Sequence, residues 1–144
     1  MSIPKNVNLS PLHILLVDDK KDWIELLRDY FISFEAQVTI CDSGLAAFDL
    51  IAQKRFNLLI LDISMPEVTG WDMIKAIRAH PDPRVHKLPV LALTAKYVAP
   101  EDKDELLRVG YDNYFRKGPD QMSLLSCLET YAAQMKEGSG KESK

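Results

Sequence analysis

Leu58-Leu59-Ile60-Leu61-Asp62-Ile63-Ser64-Met65-Pro66 sets four consecutive apolar residues against an acid, with a proline four residues beyond it. An apolar run this short, closed by a turn signal, fits a strand buried on both faces. Such strands occur in parallel sheets covered by helices on both sides. In open sheets of this kind ligands bind just outside the carboxyl ends of the strands, and Asp62 falls at that end. Asp62 is therefore the first candidate for the reactive group.

Working outward, the same pattern recurs. Ile14-Leu15-Leu16-Val17 is a buried-strand candidate that ends in Asp18-Asp19, and Val38-Thr39-Ile40-Cys41 is a second. Val90-Leu91-Ala92-Leu93 ends at Thr94, and Asn113-Tyr114-Phe115 leads to Lys117. Helical spacing fills the gaps. Trp23, Leu26, Leu27, Tyr30, Phe31 and Phe34 make one apolar face, and Leu45, Phe48, Ile51 and Ala52 another, with Asp42 or Ser43 as its cap. A loop through Pro66 and Gly70 leads to a helix with Met73, Ile74 and Ile77, which His80-Pro81-Asp82-Pro83 ends. Pro100-Glu101-Asp102 opens a helix through Leu106, Leu107 and Val109 that stops at Gly110. Leu124, Leu125, Leu128, Tyr131, Ala132 and Met135 mark the last helix. Strand and helix thus alternate five times without an internal repeat. The alternation predicts an α/β domain with a mainly parallel sheet and right-handed crossovers.

Composition bounds the function. The 144 residues suffice for one domain with one sizeable core. A formal net charge of −3 gives no bulk attraction to nucleic acid. No apolar run approaches the roughly 18–20 residues of a membrane span, and Met1 to Asn8 lacks a signal-peptide core. Cys41 and Cys127 have no Cys-x-x-Cys spacing and read as reduced thiols in a cytoplasmic protein. Residues 1–11 read as a loose lead, 12–135 as the domain, and 136–144 as a polar tail or linker. After Met135 there is no room for a DNA-binding or enzymatic domain in this chain.

In a parallel sheet, Asp18, Asp19, Asp62, Thr94 and Lys117 share one edge. Carboxylate pairs about 4 Å apart at an effective dielectric near 20 repel by about 4 kcal/mol each, so the cluster calls for a cation or a proton. All-oxygen ligands favour a hard divalent ion, and few protein ligands with room for phosphate oxygens favour Mg²⁺. Aspartate beside such an ion can act as a nucleophile and form an acyl phosphate. Catalysis of that step is mostly positioning and charge neutralisation, for which a lysine and a hydroxyl are suited. Each residue alone has a plainer reading as a helix cap, first-turn charge, strand-end threonine or surface lysine. The combination at consecutive strand ends carries the functional reading. His13, His80 and His86 share no ligand spacing and read as surface or turn residues, and Trp23 and Trp71 as helix packing residues.

The ordered set Ile14-Leu15-Leu16-Val17-Asp18-Asp19, Leu61-Asp62-Ile63-Ser64-Met65-Pro66 with Gly70, Leu91-Ala92-Leu93-Thr94-Ala95, and Gly110-Tyr111-Asp112-Asn113-Tyr114-Phe115-Arg116-Lys117 resembles the receiver domain of two-component response regulators, of the chemotaxis-response-regulator type. The resemblance spans about Leu12 to Met135. It implies a flavodoxin-like doubly wound sandwich with a five-stranded parallel sheet in order 2-1-3-4-5. It implies that Asp62 accepts a phosphoryl group from a sensor histidine kinase or a histidine phosphotransfer protein. Mg²⁺ would be held by Asp19 and Asp62, by the Ser64 backbone carbonyl, and by Asp18 through water. Thr94, Ala95 and Lys117 would contact the phosphoryl group, and Tyr114 would turn inward as the aromatic switch. The face built from the fourth helix, fifth strand and fifth helix of that fold would then change its affinity for a downstream protein effector. The implied protein is a phosphoacceptor regulatory domain that assists its own phosphorylation and dephosphorylation, not a free-standing enzyme. It is cytoplasmic, binds neither nucleic acid nor membrane directly, and is a monomer or a phosphorylation-dependent dimer. Two positions depart from the family pattern: Gly118 stands between Lys117 and Pro119, and Lys96 lies two residues past Thr94.

Three rivals use overlapping features. A haloacid-dehalogenase-type phosphatase needs a second Asp two residues after the nucleophile, where this chain has Ser64. A flavin binder needs a hydroxyl- and glycine-rich loop after the first strand, where Asp18-Asp19 would repel phosphate. A degenerate receiver would keep the fold and fail to trap phosphate.

Overall fold

The computed structural model describes the backbone of residues 7–65, 67–95 and 99–142, and the side chains of that set up to residue 136. Lys96 lies outside the described residues. Five strands form one parallel sheet: β1 (His13–Val17), β2 (Gln37–Cys41), β3 (Leu58–Asp62), β4 (Val90–Thr94) and β5 (Asn113–Arg116), in the order β2-β1-β3-β4-β5. The helices are α1 (Lys21–Ile32), α2 (Gly44–Gln53), α3 (Gly70–Ala79), α4 (Pro83–His86), α5 (Pro100–Val109) and α6 (Gln121–Glu142). Every residue of β3 and β4 is buried, as expected for unbroken apolar runs in the middle of a parallel sheet.

The period of two along each strand divides the interior into two cores. Leu15, Val17, Leu59, Leu61, Val90 and Ala92 pack with residues of α2, α3 and α5 on one side. Ile14, Leu16, Leu58, Ile60, Leu91 and Phe115 pack with residues of α1 and α6 on the other. The helices start where local chemistry says they should. The Ser43 hydroxyl accepts from the Ala46 N–H, and Thr69 with Asp72 closes a reciprocal capping box at the start of α3. Gly110 ends α5 at φ 125°, a conformation that a side chain would strain.

The structure amends several details of the sequence reading. Leu26 and Leu45, placed on inner helix faces, are 68% and 64% exposed. Ile24, Leu27 and Phe31 face the sheet from α1, and Ala47 and Ile51 from α2, which turns Ala52 outward as well. The proline-rich segment after α3 not only ends a helix but starts another. Pro83 occupies the first turn of α4, and the Asp82 carboxylate caps it by accepting from the Arg84 N–H. The lead is not loose throughout: Leu9 is fully buried among α1 and α6 residues, and its N–H donates to the Phe34 carbonyl at 2.7 Å. α6 runs on to Glu142, past Met135, where the apolar pattern stops.

Candidate functional site

Register brings the polar residues together. Val17 pairs with Leu61, so Asp18 and Asp62 leave neighbouring strands side by side. Asp62 pairs with Leu93, and Thr94 with Arg116, which places Thr94 and Lys117 at the same edge. The Lys117 N–H donates to the Thr94 carbonyl at 2.7 Å and fixes the lysine backbone against β4. By alternation, Asp18 follows Ile14 and Leu16, Asp62 follows Leu58 and Ile60, and Lys117 follows Phe115. All three thus extend the apolar column on the α1/α6 side of the sheet, and the site grows out of the end of that core.

Burial is deep. Asp18, Asp62 and Thr94 are only 2–3% exposed. Asp18, Asp19 and Asp62 each offer an oxygen within 4.8 Å of the others. Backbone amides orient two of them: Asp18 Oδ1 accepts from the Lys20 N–H at 2.9 Å, and Asp62 Oδ1 from the Ser64 N–H at 3.0 Å. The second oxygens face Lys117, whose Nζ lies 2.5 Å from Asp18 Oδ2 and 3.5 Å from Asp62 Oδ2. The repulsion expected among the acids is thus partly met by a protein cation. Asp18 Oδ2 is buried, and the Lys117 ammonium is its close partner. Burial pushes the Asp18 carboxyl above its ordinary value, against the opposing pull of Lys117 and the Lys20 amide, and the charge of Asp62 adds to the rise.

A groove beside the acids is lined by Asp18, Asp19, Glu25 and Asp42 together with Lys21 and the apolar Ile24, Ile40 and Cys41. A second concavity at the amino-terminal end of the strands is lined by Lys54, Arg55, Arg84 and Lys87 and holds no acid cluster. The remaining predicted residues lie around the edge. Ala95 is exposed just past Thr94. Tyr114 is half-buried in β5, with the Lys103 ammonium 5.4 Å from its ring centroid. Gly118 turns the chain after Lys117 at φ 88°. The histidines take local partners: His13 Nε2 meets Thr39 Oγ1 at 3.0 Å, His80 Nδ1 accepts from the Asp82 N–H, and His86 Nδ1 meets the His80 carbonyl. Cys41 and Cys127 are free thiols, and burial pushes Cys127 up.

Two residues at the site escaped the sequence reading. The Tyr111 hydroxyl donates to the Gly70 carbonyl at 2.8 Å and ties the end of the loop after Asp62 to the turn before β5. Trp23 packs against the α1/α6 core as expected, and its ring also lies 5.9 Å from the Lys117 ammonium. Spacing along α1 gave no signal for this contact, because it depends on where the chain places Lys117 after β5.

A family model described as the response regulator receiver domain matches residues 14–129. An uncharacterized 14.6 kDa protein of Leptolyngbya boryana is 34% identical over 123 residues, covering 85% of this chain and 92% of that protein. Response regulator SaeR of Staphylococcus epidermidis is 36% identical over 105 residues, covering 73% of this chain. The match spans only 43% of SaeR, so this chain corresponds to less than half of that regulator. Among solved structures, a putative response regulator from Chloroflexus aurantiacus is 27% identical with a TM-score of 0.74, covering 85% of this chain and 98% of that one. Chemotaxis response regulator CheY4 of Vibrio cholerae gives 27% and 0.74, with 83% and 98% covered. The Mn(2+)-bound form of response regulator Rcp1 gives 25% and 0.68, with 83% and 91% covered.

Proposed function

The chain belongs to the response regulator receiver domain family of two-component signalling, and from that membership we propose that it is a phosphorylation-driven switch with Asp62 as its phosphoacceptor. The observation that carries this reading is the convergence of buried Asp18 and Asp62 with half-buried Asp19 at one sheet edge, with Lys117 within 3.5 Å of the two buried acids. An Asp62 carboxylate oxygen attacks the phosphorus of a phosphohistidine on a partner kinase or phosphotransfer protein. A P–O bond forms, the P–N bond breaks, and the imidazole leaves with the electron pair and takes up a proton. Lys117 then exchanges its carboxylate contacts for a phosphoryl oxygen, the Thr94 hydroxyl and the Ala95 backbone contact the group, and Tyr114 turns inward from Lys103. The face of α5, β5 and α6 transmits the change to a downstream protein.

The residues fit a divalent ion. Three carboxylates converge with one oxygen each within 4.8 Å of the others, and the all-oxygen donor set suits a hard cation. Asp19, Asp62 and the Ser64 carbonyl would hold Mg²⁺ directly, and Asp18 would hold it through water. Rcp1, a 25% identical neighbour, was solved in a Mn(2+)-bound form, which supports divalent-cation binding by a chain of this fold. When bound, the ion supplies charge neutralisation for the transferring phosphoryl oxygens.

Beryllofluoride, a phosphoryl mimic, tests the switch. With Mg²⁺ present, amide resonances of Asp62, Thr94, Tyr114 and Lys117 should shift together to a second set. Absence of any Mg²⁺-dependent shift would overturn the reading in favour of a receiver fold that binds partners without phosphate.

A further inference from the structure

We infer that Trp23 is a positioning residue for Lys117: its indole face forms, with Asp18 and Asp62, the seat that holds the ammonium over the phosphoacceptor. This inference rests on the reading of Lys117 as the phosphoryl-contacting cation.

Three observations meet here. The Lys117 side chain is only 11% exposed, so its position is set by protein groups rather than by water. Two of those groups are carboxylates, at 2.5 and 3.5 Å. The third is the Trp23 ring, with its centroid 5.9 Å from Nζ, within the range at which an aromatic quadrupole attracts a cation. Trp23 comes from α1, whereas the lysine follows β5. The contact therefore joins the helix after the first acid pair to the strand end that carries the cation.

The indole N–H makes the choice of residue informative. Trp23 Nε1 is buried and has no hydrogen-bond partner among the described residues. A buried donor left unpaired is unfavourable, and phenylalanine or leucine would fill an apolar space without it. What tryptophan offers that those residues do not is the strongest ring quadrupole. The seat has a chemical use as well. Once an acid engages a metal ion or a phosphoryl group, the carboxylates no longer hold the ammonium alone. The ring stays in place and keeps the cation near Asp62.

The test varies the ring's charge distribution at nearly constant volume. In a Trp71→Phe background, Trp23 is the only tryptophan left, and it can be replaced biosynthetically by tryptophans carrying increasing numbers of ring fluorines. Labelling by acetyl phosphate with Mg²⁺ should slow stepwise as fluorination weakens the quadrupole. Trp23→Leu should be slowed roughly three- to fivefold, and Trp23→Phe should fall between it and the parent. In the parent, the Lys117 ε-methylene protons should carry an upfield ring-current shift in NMR spectra, and Trp23→Leu should abolish it. A flat response across the fluorinated series, with the parent labelled normally, would overturn this inference alone and leave Trp23 as packing. A parent that takes no label, with the ring-current shift intact, would instead overturn the phosphoryl reading on which the inference rests.

Discussion

At the scale of single residues, the site is a charge imbalance held in the dark: the buried carboxylates of Asp18 and Asp62 share one ammonium, that of Lys117. Removing an acid should relieve it and removing the cation should aggravate it. The Asp18 carboxyl is raised above its unfolded value chiefly by burial. The folded state therefore binds that proton more readily than the unfolded chain does. Stability from this group is present at pH below the unfolded value and is lost as pH rises through the raised one. In metal-free protein at neutral pH, Asp18→Asn should accordingly increase the urea midpoint of unfolding. A lower midpoint would contradict this account of the site. Lys117→Ala leaves Asp18 and Asp62 without their cation, and should destabilise the metal-free protein by roughly 3 kcal/mol. Added Mg²⁺ should restore part of that loss, so the denaturation midpoint of this variant should respond to Mg²⁺ more than the parent's does. The acids and the lysine were legible in the sequence because each stands at the end of an apolar run. That the lysine would satisfy the acids directly was not legible, because it depends on the register of β1, β3, β4 and β5 together.

At the scale of elements, the connection from Asp62 to α3 is pinned at its end by Gly70. The Gly70 N–H donates to the Ile63 carbonyl, and Gly70 accepts the Tyr111 hydroxyl. A Cβ at Gly70 would come within 2.5 Å of the Ile63 Cα and 2.8 Å of the Tyr111 hydroxyl, and the first of these is backbone that cannot swing away. Gly70→Ala should therefore cost about 2 kcal/mol or more of unfolding free energy and displace the loop beside Asp62. An unchanged thermal midpoint would refute the close approach. Thr69→Ala, which removes the capping box at the same helix start, should cost about 1 kcal/mol, read from urea denaturation. Strands β3 and β4 were plain in the sequence, since each is four consecutive apolar residues closed by one polar residue at its carboxyl end. The rotation of α1 and α2 was not. Leu26-Leu27 and Leu45 beside Ala46-Ala47 offer neighbouring apolar residues, and only packing against the sheet decides which one turns inward. The single turn of α4 was hidden because prolines signal an end and a beginning with the same letter.

For the molecule as a whole, the sheet separates two apolar cores, and the site sits where one of them meets solvent. Leu9 belongs to that core, so the domain begins earlier than the first strand pattern shows. Leu9→Ala should lower the unfolding free energy by roughly 2–4 kcal/mol, whereas a loose lead would tolerate the change. The proposal built on the family, the fold and the acid cluster centres on one event, transfer of a phosphoryl group to Asp62. The most direct test is intact mass measurement and peptide mapping after incubation with Mg²⁺ and acetyl phosphate, for the parent chain and for Asp62→Asn. The account predicts a gain of one phosphoryl group, dependent on Mg²⁺, labile to hydroxylamine, mapped to Asp62 and absent from the variant. A phosphoryl group mapped elsewhere, or equal labelling of Asp62→Asn, would contradict it.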